Sequence, residues 1–203
     1  MPSIYDLKPR FQALLRPLVA GLAAGGVTAN QVTVGAAVLS LVAAAFVALQ
    51  PGVRLVLLVY PIVLFLRMSL NAIDGMLARE HGQKSRLGAI LNEAGDVVSD
   101  AALYLALAPA LAPFGAHTAP IVAFAFFAVL TEFVGVLGPT VGSTRRYDGP
   151  MGKSDRAVAI GLLAFVLALG APGGAWLDAV MALLAVLCLW TAIRRATRAL
   201  EGG

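Results

Sequence analysis

Six long apolar runs separated by short polar turns dominate the chain, at 31–50, 54–78, 88–112, 119–139, 155–171 and 176–194. A helix needs about 20 mostly apolar residues to cross the roughly 30 Å hydrocarbon layer, so the pattern predicts six transmembrane helices. Ahead of them, Phe11, Leu14, Leu15, Leu18 and Leu22 recur at helical spacing, with Lys8, Arg10 and Arg16 near the start. That spacing predicts an amphipathic helix on the membrane surface, its basic groups toward lipid headgroups. The expected architecture is an all-α polytopic membrane protein. An N-terminal juxtamembrane amphipathic helix occupies 1–28, and a six-helix transmembrane domain fills 29–203. Thr28 and Asn30 are candidate N-caps of the first span, and Pro51-Gly52 and Ala171-Pro172-Gly173-Gly174 mark turns.

Composition strengthens this picture. The 203 residues are 60% hydrophobic and 13% charged, against about 25% charged in soluble domains. No secretory signal is visible, because charges and prolines interrupt the N-terminal apolar residues. A single cysteine, Cys188, excludes an intrachain disulfide and a multi-cysteine metal site. Lys and Arg concentrate before the first span, between spans two and three, between four and five, and after the sixth; the opposite turns hold only Arg54. By the positive-inside rule both termini are expected in the cytoplasm. The net charge of +4 is largely this topogenic excess and gives no reason to expect a nucleic-acid partner.

The polar residues inside the spans change the picture further. In the second span Arg67, Asn71, Asp74 and Ala78 follow at steps of four, three and four, on one helical face. In the third, Gly88, Asn92, Asp96 and Asp100 follow at steps of four, with Glu93 about 100° away. A short turn makes the two helices antiparallel neighbours, with Asp74 and Asp96 both near the cytoplasmic end. Facing carboxylate stripes at such depth suit a bound cation, and oxygen-only ligands favour a hard ion over zinc. A competing reading pairs these acids with Arg67, Arg79 and Arg86 as buried salt bridges. His81 in the loop is expected to be solvated.

Asp74-Gly75-Met76-Leu77-Ala78-Arg79, followed after eight residues by Gly88, then Asn92 and Asp96 at steps of four, resembles the signature of CDP-alcohol phosphotransferases. That pattern is D-x2-D-G-x2-A-R-x8-G-x3-D-x3-D. The surface helix, the Thr28-Ala29-Asn30-Gln31-Val32-Thr33 opening of the first span and the six spans extend the likeness. The departure is plain: Asn71 and Asn92 stand at the first and third aspartate positions. Glu93 and Asp100, on or beside the stripe, are candidates to restore the lost charge. Three readings stay open: an active branch with a remodelled metal site, a noncatalytic relative, and an engineered double Asp-to-Asn form.

The resemblance implies transfer of a phosphatidyl group from CDP-diacylglycerol to the hydroxyl of a small alcohol, with release of CMP. It implies Mg²⁺ or Mn²⁺ at Asn71, Asp74, Asn92, Glu93 and Asp96, with Asp96 as general base. Gly75, Ala78, Arg79 and Gly88 would border the nucleotide, and a homodimer in the inner membrane of a bacterium would be the setting, its active site facing the cytoplasm. Arg145, Arg146, Lys153 and Arg156 are candidates for an acceptor phosphate, favouring glycerol 3-phosphate or inositol phosphate; the alternative is that they are topogenic charges meeting anionic lipids. Arg67 is expected to pair with Glu132 in the fourth span; the alternative is that it orients the Asp74 carboxylate. An ion-coupled transporter is the rival class. Against it, the acids cluster near one membrane surface and no inverted repeat shows.

Overall fold

The computed structural model describes residues 4–201. Seven α-helices follow in order: α1 Ile4–Ala24, α2 Ala29–Ala48, α3 Val59–Glu80, α4 Arg86–Leu111, α5 Thr118–Leu137, α6 Lys153–Ala168 and α7 Trp176–Glu201. Short 3₁₀ turns at Arg54–Leu58, Ala112–Phe114 and Gly138–Val141 lie between them, and the described residues contain no strand. Five helical segments are long and apolar enough to cross a membrane: Ala29–Ala48, Arg54–Glu80, Arg86–Phe114, Thr118–Val141 and Trp176–Glu201. The fifth expected span, 155–171, is helical where the sequence placed it, but α6 has only 16 residues, about 24 Å at 1.5 Å per residue. That is shorter than the other five.

The chain forms two compact units. The first contains Met1–Leu39 and Leu66–Asp96. Its core is Val19 of α1, Ala29 and Val32 of α2, and Ile73, Met76 and Leu77 of α3. Leu15, Leu22 and Ala23 pack against that core, while Leu14 and Leu18 are exposed. The apolar residues of α1 are thus divided between protein and surroundings, where the sequence pattern implied a single lipid-facing side. The side chain of Lys8 lies outside the described residues.

The start of α2 is fixed by reciprocal capping. Thr28 Oγ1 accepts from the Gln31 backbone at 3.2 Å, and Gln31 Oε1 accepts from the Thr28 backbone at 2.8 Å. This is a capping box, two otherwise orphaned amides satisfied together. Gln83, in the α3–α4 turn, adds to it, accepting from the Ala29 amide at 2.6 Å and donating to the Val27 carbonyl at 3.3 Å. Asn30, the other candidate cap, has a different role described below.

The second unit contains Ser40–Phe65 and Val97–Gly203. Tyr60 donates to the Leu103 carbonyl at 2.8 Å, and Tyr104 stacks at a tilt on Phe124 with centroids 4.8 Å apart. Arg54, the one basic residue expected on the far side, donates to the carbonyls of Leu167 and Ala171 at 2.8 and 2.7 Å. It therefore caps the C-terminal end of α6, where backbone acceptors lack helical partners. That use explains an exception to the charge pattern.

Candidate active site

The first unit assembles the acidic stripes. Helical periodicity puts Asn71 and Asp74 on one face of α3, and Asn92 and Asp96 on one face of α4. The short turn between the helices sets them antiparallel. Asn71 Nδ2 donates to Asp96 Oδ1 at 3.0 Å, and Asn92 Nδ2 donates to Asp74 Oδ2 at 3.4 Å. Each helix thus gives an amide to the carboxylate of the other.

Thr33 of α2 donates its hydroxyl to Asp74 Oδ2 at 2.8 Å, and Asp74 is 4% exposed. Arg67 lies one turn below Asn71 on α3, and its guanidinium is 3.6 Å from Asp96 Oδ1. The expected pairing of Arg67 with Glu132 gives way to this contact, because Glu132 is taken up by three other arginines. The salt-bridge reading of the acids accounts for Asp96 in part. It supplies no role for the two asparagines.

The glycines and Arg79 are arranged as follows. The Arg79 guanidinium folds over Gly75, where an added Cβ would stand 3.1 Å from both terminal nitrogens. At Gly88 an added Cβ would stand 2.7 Å from Asn30 Oδ1 and 3.0 Å from Ser85 Oγ. Gly88 therefore admits the Asn30 side chain of α2 against the first turn of α4. Ala78 packs against the Val19–Met76 core. Glu93 is half-buried and His81 is exposed.

The predicted acceptor residues belong to the second unit, where Arg156 and Arg145 join a buried ion network. Arg156 is 0% exposed, and its NH2 donates to Asp100 Oδ2 and Glu132 Oε1, each at 2.9 Å. Its NH1 donates to Thr131 Oγ1 at 2.8 Å. Arg145 and Arg195 also reach Glu132, at 3.3 and 3.5 Å. Asp100 therefore has a partner in Arg156, which corrects the expectation that its charge compensates for the asparagines. Arg146 pairs with Asp148 at 3.0 Å. Lys153 opens α6, whose N-terminus is closed by a bond from the Gly152 amide to Asp155 Oδ2 at 3.0 Å. Thr33, Gln83 and Arg195 went unassigned from the sequence. Thr33 carried a signal, standing one helical turn beyond the capping box on the same helix.

Chemically, the facing stripes and Thr33 offer oxygen ligands only: the carboxylates of Asp74 and Asp96, two amide oxygens and a hydroxyl, with the carboxylate of Glu93 next to Asn92 in sequence. Among the described residues, no three His, Cys, Asp or Glu side chains group as metal ligands. A cation here would draw on the amides as well as Asp74 and Asp96. That donor set fits a hard dication such as Mg²⁺ or Mn²⁺.

Residues 26–193 match the family model of CDP-alcohol phosphatidyltransferase. Inner membrane protein YnbA of Escherichia coli (strain K12) is 46% identical over 193 residues, covering 95% of this chain and 94% of that protein. In fold, the chain is similar to the Mycobacterium tuberculosis phosphatidylinositol phosphate synthase PgsA1 with CDP-DAG bound. That match has a TM-score of 0.76 at 22% identity, covering 92% of this chain and 93% of the other. The same enzyme in complex with manganese and citrate matches with a TM-score of 0.74 at 22% identity, over 92% and 88% of the two chains. The length and identity of these matches, together with the Asp74–Arg79 motif, establish that the chain belongs to the CDP-alcohol phosphatidyltransferase family.

Proposed function

We propose that the chain transfers a phosphatidyl group from CDP-diacylglycerol to the hydroxyl of a small alcohol and releases CMP. The observation that carries this reading is the pairing of Asp74 and Asp96 across α3 and α4, each tied to an asparagine of the opposite helix. Family membership supplies the reaction class, and the PgsA1 structures with CDP-DAG and with manganese support the donor and the need for a cation.

Asp74, Asp96, Asn71 and Asn92 would hold Mg²⁺ or Mn²⁺, with Glu93 beside them. The ion would neutralise pyrophosphate oxygens and the charge growing on departing CMP. Asp96 takes the acceptor's hydroxyl proton at Oδ2 as the alcohol oxygen bonds to the lipid-side phosphorus. The bond from that phosphorus to the CMP oxygen breaks, and CMP leaves with the electron pair. A carboxylate is a weak base toward a hydroxyl proton. Its oxygen must therefore be held close to the hydroxyl. The bond from Asn71 and the nearby Arg67 supply that orientation. Gly75, Ala78, Arg79 and Gly88 border the nucleotide in this reading, with Arg79 meeting a phosphate.

The acceptor is read as a phosphorylated polyol such as glycerol 3-phosphate. The basis is charge: Arg145, Arg156 and Arg195 outnumber Asp100 and Glu132 in their network, and Lys153 lies nearby in sequence. Arg145, Arg146 and Lys153 are the groups assigned to the phosphate, and the buried Arg156 holds the network together. The distribution of Lys and Arg supports cytoplasmic termini and a cytoplasmic site. The relation to YnbA supports placement in a bacterial inner membrane. A homodimer belongs to this reading on family resemblance alone.

A noncatalytic lipid-binding role is the second reading, favoured by the two amides that already satisfy Asp74 and Asp96. The test is purified protein with CDP-diacylglycerol, Mg²⁺ or Mn²⁺ and a panel of alcohols, followed for CMP. Release that depends on one alcohol supports transfer. Nucleotide binding without CMP from any alcohol supports the second reading.

A further inference from the structure

Asn71 and Asn92 alter the charge of the site in a definite way. Each turns its Nδ2 onto a carboxylate of the facing helix, at 3.0 Å to Asp96 and 3.4 Å to Asp74. Amide–carboxylate bonds of this kind join α3 to α4 directly. Aspartates at 71 and 92 would instead put four negative charges together. Like charges that close repel strongly inside a protein, so a four-carboxylate set closes only around counter-ions. With Glu93 beside Asp74 and Asp96, as in the transferase reading, the present set carries three negative charges, and Arg67 at 3.6 Å from Asp96 offsets one of them. One dication balances such a site, whereas a second would add two uncompensated positive charges. Glu93, about 100° from Asn92 on the α4 helical wheel, is not a party to either cross-helix bond. With Nδ2 turned to a carboxylate, Oδ1 is the oxygen each amide presents, a neutral ligand suited to a hard ion.

We infer that Asn71 and Asn92 make this a single-cation site, held in shape before its ion arrives. The inference rests on the cation-using transferase reading, but its test needs no turnover. Purified full-length protein in detergent is titrated with Mn²⁺ alone. Free ion is followed by electron paramagnetic resonance, and melting is recorded in Mn²⁺ and in EDTA. The wild type saturates at one Mn²⁺ per chain and stays folded in EDTA, where it melts only a few degrees below its temperature in Mn²⁺. Asn71→Asp/Asn92→Asp takes up two Mn²⁺, binds the first at least ~10-fold more tightly, and loses thermal stability in EDTA. Asn92→Asp alone, which perturbs folding less, binds its ion roughly 10-fold more tightly than the wild type. Two Mn²⁺ per wild-type chain, no Mn²⁺ bound, or unchanged affinity in both variants overturns the inference. CMP release from the same preparations separates the failures. Two ions with normal CMP release contradicts the single-cation site alone. One ion with no CMP from any alcohol contradicts the transferase reading alone.

Discussion

Thr33 on α2 donates its hydroxyl to Oδ2 of Asp74 on α3 at 2.8 Å, and the same oxygen receives the amide of Asn92 on α4. Three helices therefore fix one carboxylate. Thr33→Val keeps the β-branched shape and removes the donor. A hydrogen bond to a charged group is worth about 1.5–3 kcal/mol, so CMP release should fall by roughly 10-fold or more. The same loss should lower the melting temperature by several degrees. Assaying turnover and thermal unfolding on the same preparation checks both halves. Unchanged turnover would remove Thr33 from the site.

Arg156 is the pivot of the second unit's buried charges. Arg156→Ala leaves Asp100 and Glu132 in a dry environment without their 2.9 Å partner. Removing one partner of a buried pair costs about 3–5 kcal/mol, so detergent-solubilised protein should melt well below the wild type or fail to accumulate. Lys153→Ala should melt normally and raise the KM for a phosphorylated acceptor. A stable Arg156→Ala protein with only a raised acceptor KM would move Arg156 from scaffold to acceptor pocket.

Gly88 has no room for a methyl group while Asn30 stays in place, given the 2.7 Å separation from Asn30 Oδ1. Gly88→Ala should therefore destabilise the first unit by about 1–3 kcal/mol, the usual cost of overpacking. Asn30→Ala in the same chain should return much of the lost melting temperature. Failure of that rescue would show that Gly88 serves something other than the α2–α4 approach.

The helices were legible because each apolar run is long and the turns between them are short and polar. The acidic stripes were legible because three- and four-residue steps leave little choice of face, and the antiparallel turn then sets Asn71 toward Asp96 and Asn92 toward Asp74. Partners supplied by distant segments were not legible. Arg156 meets Asp100 and Glu132 from 56 and 24 residues away, and no local spacing encodes that meeting. Arg67 illustrates the same limit: its own helix placed it on the Asp74 stripe and left Asp74 and Glu132 as candidate partners, whereas its guanidinium lies 3.6 Å from Asp96. The shortness of α6 was hidden because apolar residues run on past Ala168, where the helix ends and Arg54 takes up its last carbonyls.

Asp96 bears the proposed proton transfer, and Asp96→Asn keeps its size while removing the base. A general base contributes about 10²–10⁴-fold, so the variant should fold normally and lose at least about 100-fold of its turnover. The decisive measurement follows CMP and newly formed phospholipid together, in wild type and Asp96→Asn, from CDP-diacylglycerol with a divalent cation and the accepted alcohol. Equimolar CMP and phosphatidyl alcohol from the wild type, with neither product from the variant, is the predicted result. Equal product from both proteins would contradict a transfer centred on the facing Asp74 and Asp96 stripes.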